Sequence, residues 1–173
     1  TYSGQLRGVT PMRMLMGLAV SDRPEGPYRD LHTPWFDPGY STIDGHIFID
    51  DDGTPWLYFS RNGRRDGYDY GTIYGVRLSA DLLAPVGEPV MLLEADQPWE
   101  LEIRDWNRCN EGSAVWRDGD HYVMTYSANH FMYAGYGIGV ARAAHPLGPW
   151  IKDPANPLAA SNPAIGVSGP GHN

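Results

Sequence analysis

The stretch DDGTPWLYFS, residues 51–60, returns in altered form as RDGDHYVMTYS, residues 117–127. Asp52-Gly53 and Asp118-Gly119 stand 66 residues apart, and Ser60 and Ser127 stand 67 apart. In both copies an Asp-Gly pair joins two runs rich in β-branched and aromatic residues. Glycine tolerates the left-handed backbone of a tight turn, so each copy reads as a hairpin between short strands. The opening Tyr2-Ser3 matches Phe59-Ser60 at a spacing of 57. On this reading the chain begins inside a repeat, just past a turn.

A second pattern repeats independently. GLAVSDRPEGPYRD (17–30) resembles GVARAAHPLGPWIKD (139–153), and Gly26-Pro27 and Gly148-Pro149 are 122 residues apart. GVRLSADLLAPVGEP (75–89) lies between them and shares the leading glycine. Each full unit then reads as four strands. In the second unit these are GHIFID, PWLYFS, TIYGVRLS and PVMLLE. In the third they are GSAVWRD, HYVMTYS, YGIGVARA and GPWIKD. No segment keeps a helical period. A four-strand unit recurring at about 60 residues is the signature of a β-propeller blade, whereas a β-sandwich predicts no internal repeat. The fold class expected is all-β.

Composition narrows the partners. Apolar residues make up 42% of the 173 positions, enough for a packed core. The net charge of −8 argues against nucleic acid and against an anionic membrane surface. It leaves an uncharged small molecule or a polysaccharide open. No apolar run reaches the length of a membrane span. Cys109 is alone, which excludes a disulfide framework within the chain and a cysteine metal site, and it reads as a small buried hydrophobe.

Asp44, in IDGHIF, leads into the first strand of the second unit. Glu111, in NEGSAV, stands 67 residues on, and His172, in SGPGHN, 61 beyond that. Three successive units therefore carry Asp, Glu and His at what the spacing makes one position. The first strand of each propeller blade lines the central channel, so these side chains are expected to converge at its mouth. Neighbouring carboxylates raise each other's proton affinity. Glycoside cleavage needs such a setting, one acid to protonate the leaving oxygen and one carboxylate to assist.

IDGHIFIDDDG, NEGSAV and SGPGHN, with the two Gly-Pro-aromatic repeats GPY and GPW, resemble glycoside hydrolase family 43 over nearly the whole chain. The order of the three motifs favours this family over other five-bladed glycosidases, such as fructan-active or neoagaro-oligosaccharide-active ones. The resemblance implies a five-bladed β-propeller and inverting hydrolysis of xylose- or arabinose-containing plant polysaccharides or oligosaccharides. It makes Glu111 the general acid and Asp44 the carboxylate that orients the acid and tunes its pKa. It puts His172 near the propeller axis, helping to hold a calcium or other ion through water. No cofactor is required for the reaction itself.

The departures from the family pattern are specific. The family's general base is an Asp of an early Asp-Pro motif. Asp37-Pro38 falls instead in a connection before the IDGH strand. The Trp-Ala-Pro-Glu motif of the second blade is absent, and Ser113 stands where a Pro commonly follows NEG. The chain is thus read as one partial propeller of two and a half to three blades. Residues 1–40 end one blade, 41–105 and 106–165 are complete blades, and 166–173 start the next. Roughly 150 residues of propeller would lie outside it. Without the base, weak or no activity is expected of this chain alone. Open sheet faces favour a homo-oligomer or pairing with the missing blades. The rival reading is a non-catalytic carbohydrate-binding or interaction propeller fragment that completes its core by oligomerising.

Other features have plain readings. Asp50-Asp51-Asp52-Gly53 lacks the ligand spacing of a calcium loop and reads as a solvated hairpin turn. Arg61, Arg64 and Arg65 read as a loop face. Trp35, Trp99, Trp106, Phe131 and Tyr133 fall in connections, where stacking on sugar and packing between blades are equally expected.

Overall fold

The computed structural model describes residues 1–5, 7–8, 10 and 13–172. Its strands form three antiparallel groups in chain order. The first comprises β1 (Tyr2–Gln5), β2 (Met14–Val20) and β3 (Arg29–Phe36). The second comprises β4 (Thr42–Ile49), β5 (Pro55–Arg65), β6 (Tyr68–Leu78) and β7 (Pro85–Leu93). The third comprises β8 (Asn107–Asp118), β9 (His121–Ala128), β10 (Gly137–Ala143) and β11 (Ile151–Lys152). This is the repeating four-strand unit that the spacing predicts, and the arrangement is a partial β-propeller.

Strand β5 shows why the sheets stack. Its residues alternate between two cores, as a strand's side chains must. Leu57 and Phe59 join Met16, Leu18, Trp35 and Phe36 of the first group. Trp56 and Tyr58 join Val115, Tyr122, Met124, Tyr126 and Trp150 of the third. The middle blade is therefore buried on both faces. Leu57 and Phe59 are wholly shielded from solvent, each contributing about 1.5–3 kcal/mol.

Two elements differ from the sequence expectation. The β5–β6 hairpin is longer, because Asp66 and Gly67 adopt left-handed φ values of 50° and 90° and Arg65 pairs with Tyr68. Arg61, Arg64 and Arg65 are thus strand residues, not a loop face. Asp66-Gly67 is the favoured two-residue turn and was the signal for this extension. The extended hairpin pairs in parallel with the start of β8, Asp69–Gly71 against Asn107–Cys109, which ties the second and third blades together. Conversely, the last strand is only two residues long. Gly148 donates its N–H to the His145 carbonyl at 2.8 Å, so Gly148-Pro149 is spent on a turn.

Candidate active site

Strands β4 and β8 each carry a register irregularity near their start. Ile43 pairs with Ser60 and His46 with Tyr58, while Glu111 pairs with Ser127 and Ala114 with Thr125. Ser60 and Ser127 are the repeat-equivalent serines, so this ladder sets Asp44 against Gly112 and not against Glu111. The backbone agrees. Asp44, Gly112 and His172 all adopt left-handed conformations, with φ of 56°, 58° and 65°. Asp and His are among the side-chain-bearing residues that tolerate that region best. The equivalence of Asp44 and Glu111 inferred from spacing is therefore off by one residue. Both strands carry the same irregularity, so the shift arises at the hairpin: the paired Ile49 and Pro55 are six residues apart, whereas the equivalent Arg117 and Tyr122 are five apart.

Asp44 is tied through Ser60 to the residue that follows Glu111, and its charge acts on Glu111. The Ser60 hydroxyl donates to Asp44 Oδ2 at 3.1 Å and accepts the Gly112 N–H at 3.1 Å. One blade further on, the His172 N–H donates to Ser127 Oγ at 2.7 Å. Ser60 on β5 and Ser127 on β9 thus each accept an amide, from Gly112 and His172 in turn. At Gly112 a Cβ would stand 3.0 Å from His172 Nδ1, so the close approach, together with the φ, favours glycine.

Glu111 and His172 are joined by a residue that motif reading missed. The Tyr136 hydroxyl donates to Glu111 Oε1 at 2.7 Å and lies 3.2 Å from His172 Nδ1. Tyr136 is buried, in the connection before β10. Nothing in its spacing announced it, since it belongs to no repeat. Burial pushes the Glu111 carboxyl above its ordinary range, and the charge of Asp44 adds to this. The Tyr136 hydroxyl, His172 and the Cys109 thiol act in the opposite direction. Burial likewise raises the Tyr136 hydroxyl and the Cys109 thiol, with Glu111 contributing to both. Cys109 is buried, as its sequence reading expects, but it touches Glu111 rather than serving as packing alone.

Glu111 opens on a cleft of about 420 Å³ between the β5–β6 hairpin and the connection that follows β9. Arg64, Asp69 and Tyr70 line one side, His130 and Phe131 another. The five aromatic candidates separate cleanly. Trp35 is in the first core and Trp99 packs against the second. Trp106, Phe131 and Tyr133 are exposed.

Several polar groups are committed elsewhere. Arg61 lies over the Tyr40 ring at 4.2 Å, Arg64 pairs with Asp69 at 3.3 Å, and Arg65 lies over the Tyr70 ring at 4.7 Å. Asp37 is held by Arg13 at 2.6 Å and accepts the Gly39 N–H, and the Arg13 bond keeps its carboxyl below the usual range. In the acidic turn, Asp51 and Asp52 are exposed but Asp50 is buried. Asp50 accepts from Tyr122 at 2.6 Å and pairs with Arg117 at 3.2 Å, so it clamps two blades rather than facing solvent.

Among the described residues, no three His, Cys, Asp or Glu side chains are gathered to hold a metal ion. Calcium takes six to eight oxygen ligands, and the imidazole of His172 does not supply such a set.

The family model of the glycosyl hydrolases family 43 matches residues 2–173. A β-D-galactofuranosidase of Aspergillus niger is 30% identical over 162 residues, covering 90% of this chain and 40% of that protein. The solved structure of a thermostable family-43 glycoside hydrolase superposes with a TM-score of 0.91 at 40% identity, covering 99% of this chain and 55% of that one. An endo-1,4-β-xylanase structure from Bacteroides thetaiotaomicron gives a TM-score of 0.78 at 36% identity, covering 93% and 51%. The chain spans roughly half the length of these proteins, 40% of the first and 55% and 51% of the two structures. A match along nearly every residue, together with the repeat and the fold, establishes that the chain belongs to glycosyl hydrolase family 43.

Proposed function

We propose that the protein cleaves glycosidic bonds in xylose- or arabinose-containing oligosaccharides by inverting hydrolysis, with Glu111 as the general acid. The observation that carries this reading is the setting of Glu111. Its carboxyl is half-buried, bonded to Tyr136, raised in proton affinity, and open to a cleft. A carboxyl that keeps its proton toward neutral pH can give it to a leaving oxygen. The proton passes from Glu111 to the glycosidic oxygen as the bond to the anomeric carbon breaks, and the departing alcohol carries it away. Water adds to the opposite face of the sugar and loses its proton to a base.

Asp44 is proposed as the carboxylate that keeps Glu111 protonated and oriented, acting through charge and through Ser60. Tyr136 holds Glu111 Oε1 and so fixes which carboxyl oxygen faces the substrate. The reading assigns no general base, because Asp37 is engaged by Arg13. Weak or absent turnover by these residues alone follows from that, and the full reaction is proposed for the whole protein. The relatives' names include a xylanase and an arabinanase, which supports the substrate class, and a galactofuranosidase, which leaves the sugar open.

The test is a leaving-group series on the whole protein carrying Glu111→Ala. Turnover of oligosaccharides, whose leaving alcohols need protonation, is expected to fall about 10²–10⁴-fold. Nitrophenyl glycosides, whose leaving groups depart unaided, should lose far less. Full activity on both would refute the acid assignment. Sugar binding without any hydrolysis by the unmodified protein would move the reading to a binding module.

A further inference from the structure

We infer that Lys152, acting through Asn110, is a positioning residue that holds the strand carrying Glu111 from behind. Lys152 is the only lysine of a chain with 13 Lys and Arg in all. It stands on β11, the outermost strand of its blade, yet its side chain is only 8% exposed and reaches across to β8. There the ammonium meets Asn110 Oδ1 at 3.0 Å. It also meets the Glu94 carbonyl at 2.5 Å, Asp96 Oδ1 at 2.7 Å and Glu100 Oε2 at 2.6 Å. A compact ammonium can serve oxygens spread around it, whereas a guanidinium presents its donors in a flat fork.

The anchor behind Asn110 is rigid. Glu100 is wholly buried, and both of its oxygens are engaged. Oε1 accepts from the Tyr126 hydroxyl at 2.7 Å, and Oε2 accepts the Asp96 and Gln97 N–H groups at 2.8 and 2.9 Å. Asn110 is wholly buried too, and its side-chain amide donates to the Cys109 carbonyl at 3.2 Å. A buried ion pair is costly to break, so the cluster keeps its arrangement.

The anchor stands where the sheet itself is interrupted. The parallel pairing of β6 with β8 ends at Gly71 and Cys109. The β8–β9 ladder opens with Asn110 against Ala128 and Glu111 against Ser127, and its register then shifts before Ala114. Backbone pairing therefore holds Glu111 on a short stretch only. Side chains alternate along a strand, so Asn110 and Glu111 point to opposite faces of β8. Glu111 lines the cleft and Asn110 does not. Holding Asn110 on one face fixes where the carboxyl emerges on the other. The charge of Lys152 is balanced at Glu100 and Asp96, so its part is geometric. The inference rests on Glu111 as the acid.

The test assays Asn110→Ala and Asn110→Asp in the whole protein on oligosaccharides and on nitrophenyl glycosides, both substrates from one preparation. Asn110→Ala spares the ion pairs of Lys152, and the ratio of the two activities does not depend on how much of the preparation is folded. Oligosaccharide turnover by Asn110→Ala should fall about 10–100-fold, because a misplaced acid protonates the leaving oxygen poorly. Nitrophenyl glycosides, which need no proton, should lose less than about threefold. Asn110→Asp keeps an oxygen for the ammonium and should recover oligosaccharide turnover to within about fivefold of the unmodified protein. Equal losses on the two substrates overturn the proposal, since a merely structural change lowers both. So does unchanged turnover of both, or an Asn110→Asp as poor as Asn110→Ala. Adding Asn110→Ala to Glu111→Ala should cost less than about twofold more, because no acid is left to misplace, and a further tenfold loss overturns the proposal too. Full activity of Glu111→Ala removes the acid reading and this proposal with it. A leaving-group effect at Glu111 without one at Asn110 removes this proposal alone.

Discussion

The two seams between blades are built from the same repeat but by different chemistry. The first, between β1–β3 and β4–β7, is an apolar joint of Met16, Leu18, Trp35 and Phe36 against Leu57, Phe59, Val76 and Leu78, crossed by hydrogen bonds between uncharged groups, Trp35 Nε1 to the Leu82 carbonyl at 3.0 Å and the Met14 N–H to Ser41 Oγ at 3.1 Å. The second, between β4–β7 and β8–β11, has an apolar centre too, but it is threaded with polar links. Tyr58 donates to the Pro146 carbonyl, Asp50 holds Tyr122 and Arg117, and Ser60 bridges Asp44 to Gly112. Apolar contact is non-directional and tolerates small slips, whereas hydrogen bonds fix a register. The candidate acid sits at the rim of the seam whose hydrogen bonds are made to carboxylates, Asp50 and Asp44. A carboxyl misplaced by an ångström would lose its proton-transfer geometry.

The comparison can be broken most severely at Lys152. Its ammonium, 8% exposed, pairs with the wholly buried Glu100 at 2.6 Å and with Asp96 at 2.7 Å, and bonds Asn110 Oδ1 at 3.0 Å. Asn110 directly precedes Glu111, and Tyr126 donates to the other oxygen of Glu100 at 2.7 Å. Lys152→Met leaves a buried carboxylate without its cation. Urea unfolding should show a loss of about 3–5 kcal/mol. A loss below about 1 kcal/mol would mean that the polar links of the second seam are incidental.

A smaller effect is expected at Asp50. Asp50→Asn should cost about 1.5–3 kcal/mol at neutral pH, by the same measurement, through weakened bonds to Tyr122 and Arg117. Burial opposes ionisation there, but Tyr122, the Asp51 amide and Arg117 together hold the carboxyl below its ordinary 3.8. A depressed folded-state pKa contributes stability above the unfolded value and loses it as pH falls through the folded one. The gap between wild type and Asp50→Asn should therefore be full above about pH 4 and close as the pH drops below 3.8. A gap that is constant with pH would assign the effect to packing alone.

The same contrast explains what could be read before any coordinates. The apolar alternation of PWLYFS and HYVMTYS and the Asp-Gly turns carry the blades, because period and turn chemistry are local. The extension of β5 and β6 was equally local, in Asp66-Gly67, but three arginines masked the strand pattern. The site was legible only in part. Asp44, Glu111 and His172 sit on repeat-marked segments, but a one-residue difference between the β4–β5 and β8–β9 turns hid their true equivalence. Tyr136 is invisible for a different reason. It reaches Glu111 across 25 residues from a connection whose length is set by no repeat. Asp50 looked like a turn residue because its partners, Tyr122 and Arg117, are 72 and 67 residues away.

The account rests on Glu111 holding its proton because of burial and of Asp44. Carbon-13 NMR titration of the Glu111 side-chain carboxyl reads this directly, in the wild type and in Asp44→Asn. The predicted midpoint lies above the ordinary 4.5 in the wild type and falls when the Asp44 charge is removed. A midpoint at or below 4.5, or one that Asp44→Asn leaves in place, would contradict it.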